Sequence, residues 1–124
     1  MIRGVRGAVT VDKNSESEIL EATEMLIRQM IQENKINSED VASVFISVTE
    51  ELTAAFPAKA MRSIEGWTYV PVMCMREIPV EGSLRNCIRV MMHVNIDVPQ
   101  ENICHIYLRE AIQLRPDLKT TDSP

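Results

Sequence analysis

The sequence predicts an α+β domain: one mixed β-sheet with a long helix and a short helix packed on one face. Three observations predict it. The N-terminus alternates like a strand, one helical-period apolar stripe covers residues 16–34, and several β-branched or alternating runs follow, separated by turn signals.

The first strand is read in Arg3-Gly4-Val5-Arg6-Gly7-Ala8-Val9-Thr10-Val11, which alternates after its glycines and ends in the polar stretch Asp12-Lys13-Asn14. Ser15 stands three residues before Glu18, the spacing at which a hydroxyl and a carboxylate satisfy exposed amides at a helix start. Ile19, Leu26 and Met30 then form one row and Leu20, Ile27 and Ile31 an adjacent one, so a helix is expected from about residue 16 to Asn34. Ser38 is placed to cap a single helical turn in the polar stretch that follows.

Residues 41–49 are rich in β-branched side chains and read as a strand with Val44, Ile46 and Val48 on one face. Residues 56–63 read as a short helix, because Pro57 suits a first turn and Gly66 follows the end; Lys59 and Arg62, three apart, share a face. Residues 67–75 are expected to form a strand, with Pro71 marking an edge or a bulge. The clearest alternation lies in residues 87–96, where Ile88, Val90, Met92, Val94 and Ile96 take one face and leave Arg89 on the other. After a break at residues 98–102, residues 103–108 resume a strand, and residues 111–114 extend it or form a separate short one. Beyond Arg115-Pro116 almost nothing is apolar, so a single domain over residues 1–118 with a flexible tail at 119–124 is expected.

A chain of 124 residues fits one domain. At this size only roughly two thirds of the unfolded surface is buried on folding, so extra burial against sister subunits would help. The net charge of -5 argues against a nucleic-acid partner and against a membrane surface. No apolar run reaches the roughly 18 to 20 residues that span a bilayer, and the N-terminus lacks the apolar core of a secretory signal, which points to the cytoplasm. Cys74, Cys87 and Cys104 have neither disulfide-framework nor zinc-site spacing and are expected to be reduced thiols.

The chemistry-bearing inventory is short. No nucleophile elbow, Walker sequence or paired-histidine spacing is present, and His93 and His105 read as exposed or hydrogen-bonded strand residues rather than metal ligands. Nine arginines against four lysines stand out in an acidic chain, because guanidinium suits planar, bidentate recognition of carboxylates. Arg6 and Arg89 sit within apolar strands, where a cation is held more rigidly than on a loop. Periodicity alone does not bring them together.

Several blocks, in order and spacing, carry a resemblance: RGVRGA at the N-terminus, FPAKAMR, GWTYVPVMCMREIPV, CIRVMMHV, DVPQENICHIYL and the closing LRPDL. Through residue 118 the chain resembles the small monofunctional bacterial chorismate mutases of the trimeric α/β-barrel class. The resemblance implies a homotrimer whose sheets form a pseudo-α/β-barrel, with active sites at subunit interfaces. It also implies a Claisen rearrangement of chorismate to prephenate, on the route to phenylalanine and tyrosine, with no cofactor, metal or covalent intermediate.

By the family pattern, Arg89 would stand at the ether oxygen where negative charge grows, and Arg6 and Tyr107 would hold the side-chain carboxylate. Glu77 would meet the ring hydroxyl and orient Arg89 or balance charge, and Cys74 would contact that hydroxyl too. Phe56, Ala58 and Val72 would line an apolar wall, with Lys59, Arg62 and Arg115 toward the mouth and Leu114 on its rim. Met73 stands where the family commonly has threonine, a difference that matters only if a hydroxyl there touches substrate. Two rival readings are a noncatalytic trimer that binds a small carboxylate and an imine-hydrolysing deaminase on a similar trimeric barrel. The FPAKAMR and VPVMCMREIPV blocks and the pairing of Glu77 with Arg89 favour the mutase.

Overall fold

The computed structural model describes residues 1–114. Five strands, β1 (Ile2–Thr10), β2 (Val41–Val48), β3 (Val72–Arg76), β4 (Cys87–Asn95) and β5 (Ile106–Leu108), form one sheet in the order β3-β2-β4-β1-β5. β4 runs antiparallel to both β1 and β2, whereas β1 with β5 and β2 with β3 are parallel pairs. The sheet is therefore mixed, as its sequence predicts. The single long helix α1 (Glu16–Asn34) covers one face, joined there by the 3₁₀ segment Pro57–Ser63.

The start of α1 departs in detail from a capping box. Ser15 Oγ accepts from the Glu18 N–H at 3.2 Å, but the Glu18 carboxylate reaches back to the N–H groups of Asp12 and Lys13, both at 3.2 Å, and so ties the β1–α1 turn. Ile19, Ala22, Thr23, Leu26, Ile27 and Met30 are buried, while Leu20 and Ile31 at the stripe's margin are only half-buried. The core they enter is the alternate set of strand residues: Val5 and Val9, Val44 and Ile46, and Ile88, Val90, Met92 and Val94.

Four local expectations are corrected. Ser38 lies inside the 3₁₀ turn Ser38–Asp40, whose N-cap is Asn37, so it does not cap that turn. Residues 67–71 are not strand: Gly66 turns the chain at φ +89°, Trp67 swings into the core, and its carbonyl accepts the Val70 N–H at 3.2 Å. Pairing starts where the Pro71 carbonyl accepts from Val44 at 2.9 Å, and β3 is an edge strand, which tolerates the missing proline N–H. Residues 103–105 precede β5 because the Asn34 side-chain amide occupies Cys104, donating to its carbonyl and accepting from its N–H at 2.8 Å each. Residues 111–114 belong to the 3₁₀ segment Arg109–Leu114, since Arg109 turns left-handed at φ +56°.

Candidate active site

The face of the sheet turned away from α1 carries the polar strand residues. On β4 that face presents Arg89 at the centre, flanked in register by Ala8 on β1 and Ser47 on β2; Ala8 in turn is paired with Tyr107 on β5. Arg6 is in register with Met91, two residues along β4 from Arg89, so the two guanidiniums spring from diagonal neighbours, typically ~7–8 Å apart at Cα.

Glu77, just past β3, is tied to β2 by its N–H, which donates to the Val48 carbonyl at 2.8 Å. Its carboxylate reaches under Arg89, accepting from Nη1 at 3.1 Å, and accepts from the Ser47 hydroxyl at 2.8 Å. Arg6 has no ion-pair partner among the described residues. Arg6 and Arg89 thus project from the same face, and of the two only Arg89 is paired with a carboxylate among the described residues.

Tyr107 packs on the small cluster of Ala8, Cys87 and Ala111, which Leu114 also borders. Its phenolic oxygen is buried and has no hydrogen-bond partner among the described residues. A buried hydroxyl without a partner is costly, and an anionic oxygen arriving beside it would relieve that cost. Cys87 below it is no nucleophile: burial pushes its thiol up to about 11, Arg89 pulls it down, and the carboxylates of Glu77 and Glu51 add to the rise. Arg6 is also fixed through its backbone, because its N–H donates to His105 Nδ1 at 3.0 Å. That bond requires an unprotonated Nδ1, so His105 extends the β1–β5 ladder with its ring.

A second group lies on the helix side of the sheet. Phe56, Ala58, Lys59, Arg62 and Cys74 line a cleft of about 1010 Å³ between the 3₁₀ segment Pro57–Ser63 and the end of β3. Lys59 pairs with Glu16 at 3.3 Å across its mouth, whereas Arg62 has no carboxylate partner among the described residues. Phe56 is 78% exposed, an unusual position for a bare aromatic ring.

The remaining sequence-derived candidates fall elsewhere. Val72 faces the helix side in register with Val44 and packs half-buried against the core, outside the cleft. Met73 projects from the edge strand on the Arg89 side and is well exposed. Arg115 lies outside the described residues, as does the tail at 119–124. Among the described residues no group of three or more His, Cys, Asp or Glu side chains is arranged to hold a metal, and no helix is long and apolar enough to cross a membrane.

Sequence reasoning missed Ser47, Thr49 and Glu51. Glu51 accepts from the N–H of Asn86, which adopts a left-handed φ of +54°, while Thr49 Oγ1 accepts from the Cys87 N–H at 3.0 Å. Together they fix the start of β4 two residues before Arg89. The one available signal was the alternation that puts Ser43 and Ser47, with Phe45 between them, on the far face of β2, which says nothing about what lies across from it.

Residues 2–118 match the family model described as chorismate mutase type I. The chain is 53% identical over 121 residues to the chorismate mutase AroH of Bacillus subtilis strain 168, spanning 98% of this chain and 95% of that one. It is 49% identical to the chorismate mutase AroH of Thermus thermophilus, spanning 97% and 98% of the two chains. Among solved structures, a chorismate mutase from Clostridium thermocellum superimposes with a TM-score of 0.84 at 47% identity, covering 87% of this chain and 96% of that chain.

Proposed function

The chain belongs to the type I chorismate mutase family and is a chorismate mutase of aromatic amino acid biosynthesis; on that premise we propose that its site is assembled from two copies of the chain and works by electrostatic preorganisation. One observation carries this reading. Arg6, Arg89, Glu77 and Tyr107 lie on one face of the sheet, and Phe56, Lys59, Arg62 and Cys74 lie on the other. The two groups project mainly from opposite faces of the sheet, which supports a site in which each chain supplies one half and its neighbour the other.

The exposed apolar surface supports the same reading. Met73, Met75, Ile78 and Val80 on the edge strand and its following loop, with Phe45 beside His93 and the bare Phe56, are surfaces a second copy would cover. The assembly is a homotrimer in which the faces bearing Arg89 surround a barrel-like core, and the enzyme works in the cytoplasm.

In the rearrangement of chorismate to prephenate, carbon–oxygen cleavage runs ahead of carbon–carbon formation and negative charge gathers on the ether oxygen. Arg89, fixed on a central strand, meets that charge and binds the transition state better than the ground state. Arg6 and the Tyr107 hydroxyl, which has no partner among the described residues, take the side-chain carboxylate. Glu77 receives the ring hydroxyl together with Cys74 of the neighbouring copy. Phe56 and Ala58 present an apolar wall, with Val72 packed behind it in the core, Met73 contributes its backbone, and Lys59, Arg62, Leu114 and Arg115 attract and enclose the dianion at the mouth. Holding the flexible substrate in its reactive geometry lowers the entropic part of the barrier. No residue exchanges a proton or forms a bond with substrate.

Steady-state turnover of chorismate by Arg89→Ala tests the assignment. A loss of roughly 3 to 4 kcal/mol of transition-state stabilisation is expected, the scale of removing an oxyanion-stabilising donor. Near-normal turnover would show that Arg89 is not the group at the ether oxygen.

A further inference from the structure

The two contacts of the Glu77 carboxylate converge on one atom. Oε2 accepts both from the Ser47 hydroxyl at 2.8 Å and from Arg89 Nη1 at 3.1 Å. Ser47 stands directly opposite Arg89 in the β2–β4 register, and the Glu77 N–H is tied one residue further along β2. The carboxylate is therefore held by a strand hydroxyl, a strand guanidinium and its own backbone, and Oε1 makes no hydrogen bond among the described residues.

Arginine and carboxylate left to themselves favour a bidentate fork, with two parallel N–H···O bonds. That arrangement would occupy both Glu77 oxygens and turn two guanidinium N–H groups away from substrate. By donating to Oε2, Ser47 holds the carboxylate in the one-oxygen arrangement. We propose that Ser47 is a positioning residue of the mutase: it keeps Glu77 monodentate, so that Oε1 is free for the substrate ring hydroxyl and Arg89 retains N–H groups for the ether oxygen.

This role rests on the assignment of Glu77 and Arg89 given above, and the experiment separates the two. In the full-length enzyme, Ser47→Ala is expected to lower kcat on the order of 10-fold, as loss of a hydrogen bond to a charged group does, while Ser47→Thr, which keeps the hydroxyl, stays within about 2-fold of the parent. Calorimetric binding of a hydroxylated bicyclic dicarboxylate that mimics the transition state reads the coupling without turnover. Ser47→Ala should weaken that binding in the parent enzyme and leave it unchanged in the Glu77→Ala background. Unchanged kcat in Ser47→Ala, or an equal loss of mimic affinity in both backgrounds, would overturn the role of Ser47. If Arg89→Ala is crippled in the same assays, that failure belongs to Ser47 alone; if Arg89→Ala is near normal, the parent assignment falls instead.

Discussion

Gly7 and Met30 meet where β1 crosses α1: a β-carbon at Gly7 would stand 2.5 Å from Met30 Sδ and 3.0 Å from Leu26 Cδ1. Met30 and Leu26 are fully buried, so neither can swing aside into solvent. The close approach seats the strand between Arg6 and Ala8 directly on the helix. Rigid packing on one face of β1 thereby holds the cation on the other.

Gly7→Ala is accordingly expected to destabilise the protein by about 1–3 kcal/mol, the usual cost of forcing an extra carbon into a packed core. Urea denaturation followed by circular dichroism measures it. A variant as stable as the parent would mean that the helix yields freely at this contact.

At the start of β4, burial by itself raises the pKa of Glu51, but hydrogen bonds from Asn86, from Thr49 and from its own N–H, with the charge of Arg85, hold it below its ordinary 4.5. A carboxyl whose pKa is lowered in the folded state adds stability that is fully present above 4.5 and is lost as pH falls through the folded value. Glu51→Gln keeps an acceptor for Asn86 and loses the charge. It should cost about 1 kcal/mol at neutral pH, with the gap to the parent closing on acidification below 4.5. A gap independent of pH would contradict the clamp.

Because no titrating residue transfers a proton in the rearrangement, turnover of chorismate is expected to stay flat from about pH 6 to pH 9. Stopped assays following chorismate disappearance across that range provide the check. A bell-shaped profile would point to acid–base chemistry and against electrostatic preorganisation.

Much of this arrangement is legible in the sequence, because hydrophobic period depends only on local spacing. The stripe of α1 and the alternation of β4 are enough to place Arg89 on the polar face. What sequence cannot supply is set by contacts between distant residues. The Asn34 amide substitutes for a strand partner at Cys104 from 70 positions away, which shortens β5. Trp67 leaves the expected third strand because the core takes its ring. Register decides that Ser47, not a neighbour, faces Arg89. The candidate site residues are legible through family resemblance, and only the folded sheet sorts them into two groups.

Shared sites between copies can be tested by mixing two crippled chains. Arg89→Ala disables the half-site on the sheet face, and Lys59→Ala with Arg62→Ala disables the cleft; co-expressed in equal amounts, they form assemblies in which some sites pair two intact halves. If each site of a ring-like trimer joins two chains, random mixing restores about a quarter of parental turnover, far above either variant alone. Activity no greater than the sum of the two variants would contradict a site built from two copies.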